Sequence, residues 1–159
     1  MDGADHLGQP VRIAVATSGD AADWAEMRGA LWPGGGDGGT HADDINRLLA
    51  DAGATVNLIA RDETGRAVGF AEASLRRDYV NGCKTTPVAF LEGIYVVPPA
   101  RGQGVARALV DATERWARQR GVTELASDAL FDNQASHKMH NALGFEETQR
   151  VVFFRKILE

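Results

Sequence analysis

The pattern of apolar and polar positions divides the chain into short apolar runs and longer amphipathic segments. Short runs bounded by turn residues predict β-strands, and segments with apolar residues three or four positions apart predict helices. The predicted strands cover residues 11–16, 56–61, 67–75, 88–97, 122–127 and 145–157, the last as one strand or a pair of strands. Four helices are predicted. The first is capped by Ser18 or Asp20 and ends near Leu31, and the other three cover residues 41–52, 105–120 and 133–143.

This order of elements predicts an α/β domain with a mixed sheet and helices on both of its faces. A length of 159 residues suits a single domain with one core, and no internal repeat or linker divides it. We therefore expect one domain over residues 1–159, in which the polar residues 1–9 form a disordered tail. The glycine-rich segment 33–39 is either a slack surface loop or a mobile flap over a site.

The most informative stretch is 88–121, in which an apolar strand leads through two prolines and a glycine-containing turn into an amphipathic helix. Gly102 and Gly104 would let backbone N–H groups approach a ligand closely, and the helix N-terminus and Arg101 both favour an anion. A plain turn is the alternative. The spacing matches neither the Gly-x-Gly-x-x-Gly motif for dinucleotides nor the Gly-Lys-Ser/Thr motif for nucleoside triphosphates.

Arg101-x-x-Gly104-x-Ala106, after the strand end Ile94-Tyr95-Val96-Val97-Pro98, resembles the acyl-CoA loop of the GCN5-related N-acetyltransferases (GNAT). The resemblance implies the GNAT fold, an α/β fold with a central mixed, mostly antiparallel sheet and helices on both faces. It also implies acetyl-CoA as co-substrate, with the pantetheine arm on the strand's open edge and the pyrophosphate on the loop. The residues that it assigns to acetyl-CoA here are Ile94, Tyr95, Val96, Arg101, Gly102, Gln103, Gly104, Val105, Ala106 and Arg107.

Composition narrows the partners and the location. The net charge of -5 argues against nucleic acid as the main partner and is compatible with a cationic substrate. The single cysteine, Cys83, cannot form an intrachain disulfide and fits a reducing compartment. No leader opens the chain, and no apolar run approaches the ~20 residues of a membrane span, so we expect a cytoplasmic protein without membrane contact.

Glu92 lies within the most apolar predicted strand, where an uncompensated carboxylate would cost several kcal/mol. It is either part of a buried ion pair with an arginine, or a group that binds a substrate ammonium and helps to remove its proton. Only the neutral amine carries the lone pair that attacks a thioester. Glu72, on another strand, is a weaker candidate, which a solvated face or a structural ion pair would also explain.

We expect Asp132 to cap the fourth predicted helix. One face of this helix carries Asn133, Ser136, His137 and His140, and the other face would pack in the core through Ala135, Met139, Ala142 and Leu143. Two histidines at i and i+3 have no third ligand at a recognisable spacing, so we expect no metal. The GNAT pattern here is Asn-x-x-Ala-x-x-x-Tyr, whose Asn contacts the cofactor and whose Tyr protonates the leaving thiolate. Asn133 matches, Ser136 replaces Ala, and His140 replaces Tyr, so either His140 supplies the proton or no dedicated acid does.

Further stretches narrow the resemblance to the small dimeric subgroup of aminoglycoside 6'-N-acetyltransferases, over residues 24–156. They are Leu31-Trp32-Pro33, Asp78-Tyr79-Val80-Asn81-Gly82, Phe90-Leu91-Glu92-Gly93-Ile94, Ala126-Ser127-Asp128 and Leu143-Gly144-Phe145-Glu146-Glu147-Thr148.

The narrower resemblance implies that Trp32, Tyr79, Glu92 and Asp128 bind the aminoglycoside, with Glu92 and Asp128 as catalytic residues that hold its ammonium groups. Carboxylates and flat aromatic rings suit a polycationic amino-sugar. Gln149 stands where close relatives carry an acid, which would weaken one ammonium contact. The structural alternatives are a core plug for Trp32, a loop anchor for Tyr79 and a turn cap for Asp128.

The sequence therefore predicts an enzyme that moves acetyl from acetyl-CoA to the 6'-amine of an aminoglycoside, in a ternary complex, and so confers resistance. An acetyltransferase for a polyamine, protein lysine or other amine is the second interpretation, and a non-catalytic acyl-CoA-binding module is the third. The resemblance also implies a homodimer. The apolar residues 151–154 would suit either a dimer contact or an ordinary core.

Overall fold

A five-stranded sheet in the order β1-β2-β3-β4-β5 carries the fold. The computed structural model describes residues 10–35 and 39–159; the predicted tail at 1–9 and the middle of the glycine-rich segment lie outside them. The strands are β1 (Arg12–Val15), β2 (Thr55–Arg61), β3 (Ala67–Arg76), β4 (Val88–Val96) and β5 (Leu125–Ser127), and the helices are α1 (Ala21–Leu31), α2 (His41–Ala50), α3 (Val105–Gln119) and α4 (Gln134–Ala142).

The sheet is mixed and mostly antiparallel, as predicted. The pairs β1–β2, β2–β3 and β3–β4 are antiparallel, and only β4–β5 is parallel. The β2–β3 hairpin turns at Asp62–Gly65, where Gly65 has a φ of 85° that a residue with a Cβ rarely adopts. The parallel pair is connected through α3, the usual crossover for parallel neighbours.

Helices cover both faces of the sheet, which confirms the predicted layers. On one face α3 places Leu109 and Val110 against Leu58, Ala71 and Leu91. On the other face α1 and α2 close a second core around three residues of very low exposure, which are Trp24, Ile45 and Phe70. No helix in the described residues is both long enough and apolar enough to cross a membrane.

Two irregularities of β4 shape its middle. Ala73 of β3 pairs with Leu91 and Glu72 pairs with Gly93, so Glu92 is an extra residue, a β-bulge, with no partner in β3. The pairing of β4 with β5 covers only residues 89–91. From Glu92 to Val96, β4 is therefore paired with β3 on one edge and has an open edge on the other.

The prediction of a final strand or strand pair at 145–157 is wrong for this chain, since residues 144–159 form no helix or strand. A strand needs an edge to pair with, and the outer edge of β5 is only three residues long. The apolar side chains of this C-terminal segment face outward, with Phe154 93% exposed. The fifth strand is also shorter than predicted, three residues instead of six.

Candidate active site

The glycine-containing loop before α3 is built as an anion site. Gly102 and Gly104 have φ values of 73° and 85°, and Gly104 is the N-cap of α3. A Cβ placed on either glycine would meet nothing within 4 Å, so this side of the loop is open. Within the described residues, the N–H groups of residues 102–107 donate to no protein acceptor. These donors and the α3 dipole favour a phosphate group here.

The longer side chains of the loop hold it against the strand and the neighbouring helix. Arg101 Nε donates to the Val96 carbonyl at 2.8 Å, and its guanidinium lies 5.5 Å from the Tyr95 ring centre. Arg107 donates to the Ala142 carbonyl at the C-terminal end of α4, at 2.8 Å. Both arginines are exposed, so each also adds positive charge around the loop.

Glu92 is not buried, contrary to the expectation from its apolar strand. The bulge turns its side chain out of the sheet, where it is 34% exposed and ion-paired with Arg76. Arg76 binds both carboxylate oxygens, at 3.0 and 2.7 Å, and Ser74 Oγ donates to one of them at 2.6 Å. The arginine also stacks on the Phe90 ring at 3.5 Å. The predicted ion pair thus exists at the surface rather than in the core.

The buried carboxylate of this region is Glu72, one strand away. It accepts hydrogen bonds from Trp24 Nε1, at 2.8 Å, and from the buried Arg28, which also binds Asp44 at 3.0 Å. Burial raises the pKa of the Glu72 carboxyl, and the bonds from Arg28 and Trp24 oppose that rise. Of the two explanations for Glu72, the structural ion pair holds.

The same arginine helps to fix Trp32. Arg28 lies 4.8 Å from the Trp32 ring centre, and its Nε donates to His41 Nδ1, whose other nitrogen donates to the Trp32 carbonyl at 3.1 Å. The indole lies across Gly93, where a Cβ would come within 2.4 Å of two ring atoms. Trp32 is half-buried, so it packs on the sheet beside the bulge and still presents a partly exposed ring.

The remaining predicted substrate residues lie outside the helices and strands. Tyr79 is 76% exposed, Asp128 follows β5 and is exposed, and Gln149 is exposed. A contact between Gly82 and Thr148 brings the Tyr79 loop to the segment that holds Gln149. Within the described residues no hydrogen bond joins Tyr79, Asp128 or Gln149 to Glu92.

Helix α4 differs from the prediction in its cap and in its inner face. Its N-cap is Asn133, not Asp132, and the Asn133 side-chain oxygen accepts from Ser136 N at 3.1 Å. His140 turns inward to β5, where its Nε2 lies 2.8 Å from Ser127 Oγ. The predicted core face is only partly right: Leu143 packs against the core and Met139 is half-buried, but the helix also packs on this histidine side. Ala135 and Ala142 are exposed.

Sequence reasoning missed Ser127 as a candidate. Its only signal is its place as the last residue of the predicted strand, directly before Asp128. His137, by contrast, binds the Leu130 carbonyl at 2.9 Å, a contact within its own loop. Among residues 10–35 and 39–159, no group of three or more His, Cys, Asp or Glu side chains could hold a metal ion.

Comparison with known proteins assigns the family. The profile of the acetyltransferase (GNAT) family matches residues 22–145. The chain belongs to the GNAT acetyltransferase family. Its sheet, its α3 loop and the open edge of β4 are the GNAT elements that the sequence predicted, and acetyl-CoA is the co-substrate of this acyltransferase.

Relatives of this GNAT chain align over nearly its whole length. An aminoglycoside N(6')-acetyltransferase type 1 of Acinetobacter baumannii is 46% identical over 92% of this chain and 98% of the relative. The crystal structure of the 6'-N-acetyltransferase AAC(6')-Ih from Acinetobacter baumannii is 45% identical with a TM-score of 0.87, covering 94% of this chain and 100% of that one. AAC(6')-Iy, solved with the bisubstrate analog CoA-S-monomethyl-acetylneamine, is 44% identical with a TM-score of 0.86 and the same coverage.

The buried ion network under Trp32 makes a testable prediction about stability. Arg28→Met leaves two buried carboxylates without their guanidinium and should lower the free energy of unfolding by about 3–5 kcal/mol. Arg47→Met is the matched control, since Arg47 also binds Asp44 but is 64% exposed; it should cost less than about 1 kcal/mol. Urea denaturation measures both, and equal losses would contradict the structural role of Arg28.

Proposed function

We propose that this acetyltransferase moves the acetyl group of acetyl-CoA to the 6'-amine of aminoglycoside antibiotics and thereby confers resistance to them. The observation that carries the proposal is the meeting of three features at the β4 bulge. They are the open strand edge, the Glu92 carboxylate and the Trp32 ring against Gly93. The names of the relatives support the choice of an aminoglycoside over other amines.

In this proposal, acetyl-CoA lies along the open edge of β4. Its pyrophosphate binds the N–H groups of residues 102–106, and Asn133 donates from its side-chain amide, whose oxygen already caps α4. The pantetheine arm pairs with the backbone of residues 94–96, which β5 leaves unpaired. The five residues from Val96 to Glu92 are four steps of the strand and span about 13 Å at the usual rise, so the thioester end reaches the bulge.

The aminoglycoside binds on the outer side of the bulge. Glu92 and Asp128 hold its ammonium groups, Trp32 and Tyr79 contact its rings, and Gln149 contributes a neutral contact. The Arg76–Glu92 pair must admit the substrate cation, and because the pair is well exposed, exchanging one cation for another costs little. Glu92, directly or through water, removes the ammonium proton, and the free amine attacks the thioester in the ternary complex.

On the leaving-group side, His140 is the group proposed to supply the proton. It stands at the position of the GNAT tyrosine and faces β5 where that strand separates from β4.

Substrate selection tests the proposed function directly. Thiol release from acetyl-CoA should be rapid with kanamycin or tobramycin and absent with a matched aminoglycoside that carries a 6'-hydroxyl group, because only an amine is acetylated. Release with polyamines or lysine peptides alone would replace the proposal with acetylation of another amine. Acetyl-CoA binding without release on a broad amine panel would indicate a binding module.

The two carboxylates test the substrate site. Glu92→Gln and Asp128→Asn should each lower kcat/KM for the aminoglycoside by about 10²-fold, the low end for removing an acid–base group, and leave the KM for acetyl-CoA within about 2-fold. Asp132→Asn, an exposed acid four residues away, is the control and should keep wild-type kinetics. Unchanged kinetics in the Glu92 or Asp128 variant would remove that residue from the site.

We also propose that the protein is a cytoplasmic homodimer. The C-terminal segment 144–159 exposes more neighbouring apolar side chains than the surface of a monomeric protein normally carries. We assign a second copy of this chain as the partner that covers them. The lone free Cys83 suits a reducing compartment. The exposed apolar residues of the segment are Val151, Val152, Phe153, Phe154, Ile157 and Leu158.

Sedimentation equilibrium tests the assembly. The wild type should sediment as a dimer at micromolar concentration, and the double variant Phe153→Asp, Phe154→Asp should sediment as a monomer because charged groups oppose burial of that segment. Val15→Asp is the control, since Val15 is 65% exposed but lies on β1, at the other edge of the sheet. A monomeric wild type would overturn the proposed dimer.

A further inference from the structure

Ser127 lies at the point where β4 and β5 separate. It is the last residue of β5, it pairs with Leu91, and the next residue of β4 is the bulged Glu92. Its hydroxyl group lies 2.8 Å from His140 Nε2 and 3.3 Å from the Leu91 carbonyl. Ser127 is half-buried, so the hydroxyl is partly shielded from water.

The hydrogen bonds of His140 determine what Ser127 can do. His140 Nδ1 lies 2.7 Å from the Ser136 carbonyl, which can only accept, so Nδ1 carries a hydrogen. In the neutral ring, Nε2 therefore accepts the Ser127 hydroxyl hydrogen. When the ring is protonated, Nε2 donates to Ser127 Oγ, and the hydroxyl hydrogen can bond the Leu91 carbonyl at 3.3 Å or a third group at the strand separation.

The surroundings of His140 make Ser127 the last group of a hydrogen-bonded path that leads from His140 to the strand separation. The His140 ring has Ser127 on its Nε2 side, the Ser136 carbonyl on its Nδ1 side and the Phe145 ring edge-on at 5.1 Å. Both ring nitrogens therefore have protein partners. A proton from His140 that goes toward β4 passes through the Ser127 hydroxyl.

We propose, on the basis of the function proposed above, that Ser127 is the catalytic residue that protonates the departing sulfur of CoA, and that His140 is the positioning residue that resupplies it. This accounts for the absence of the GNAT tyrosine. The histidine in its place is hydrogen-bonded to Ser127, whose hydroxyl group extends the proton path to the strand separation.

The proton balance of the step is complete. The free amine has formed its bond to the thioester carbon, and collapse of that intermediate breaks the C–S bond, with the electron pair going to sulfur. Ser127 gives its hydroxyl proton to sulfur and takes the Nε2 proton of the His140 imidazolium. The neutral histidine regains a proton from water, and the proton lost by the amine nitrogen leaves through Glu92 or water.

The experiment compares Ser127→Ala, Ser127→Thr, His140→Phe and the double variant Ser127→Ala, His140→Phe, with the aminoglycoside that the wild type acetylates. Ser127→Ala and His140→Phe should each lower kcat by about 10²-fold, with both KM values within about 2-fold of wild type. Ser127→Thr, which keeps the hydroxyl, should recover most of the rate. The double variant should be no slower than Ser127→Ala, because either change breaks the same proton path from His140 through Ser127.

The controls separate catalysis from folding. Thr123→Ala removes a hydroxyl just before β5, and His137→Phe removes a histidine from the same helix; both should keep wild-type kcat. Thermal unfolding and acetyl-CoA binding by calorimetry identify a variant that has lost structure, and in that case Ser127→Thr against Ser127→Cys gives the comparison.

The outcomes distinguish this proposal from the proposed function. Wild-type kcat in Ser127→Ala, or a loss confined to KM, would overturn the role of Ser127 and leave the acetyltransferase assignment in place. Fully additive losses in the double variant would also overturn it, since they would show two independent contributions. A wild type that releases thiol with none of the amines tested would overturn the proposed function and the serine step together.

Discussion

The site depends on the early end of one parallel strand pairing. β4 and β5 share only three residue pairs, and beyond them β4 continues for five residues with one edge unpaired. Backbone N–H and C=O groups need partners, and an exposed strand edge is a template for whatever extended chain can supply them. The pantetheine arm of acetyl-CoA contains amide groups that can play this part. The anion loop lies at the far end of the same strand, so one element sets both proposed contacts of the co-substrate.

The bulge of β4 sorts two neighbouring carboxylates into different environments. Glu72 faces the α1–α2 layer and is satisfied by Arg28 and Trp24, which makes it structural. Glu92, one strand away, is turned outward and held by an exposed arginine, which leaves it able to bind another cation. The buried pair is costly to disturb and the exposed pair is not. Stability and the proposed substrate binding are thus assigned to different residues at one point of the sheet.

The features that depend on local sequence were predictable. The strand, loop and α3 unit, the Gly65 turn, and the C-terminal ends of α1 and α4 follow from periodicity and from glycine positions, and they agree with the structure. Glu92 was expected to be buried because its strand is apolar, and the error arose because the bulge is set by pairing with β3. That pairing is not encoded within the strand itself.

Two other differences have the same origin in long-range contacts. Ser127 acquires its partner His140 only through the packing of α4 on β5, a contact that no spacing in the sequence indicates. The apolar C-terminal segment has the pattern of a strand, but the free edge of β5 offers only three residues to pair with. A sequence pattern identifies a strand more readily than it identifies the partner of that strand.

The contact between Trp32 and Gly93 has a consequence for how this enzyme can diverge. Any side chain at position 93 would enter the space of the indole ring, and a smaller residue at position 32 would leave that space empty. The two positions are 61 residues apart in the chain, yet they can change only as a pair. A library that varies one of them alone explores mostly defective proteins. Changing both together, with a smaller side chain at position 32 and a larger one at position 93, gives a route to a proposed acceptor site of a different shape.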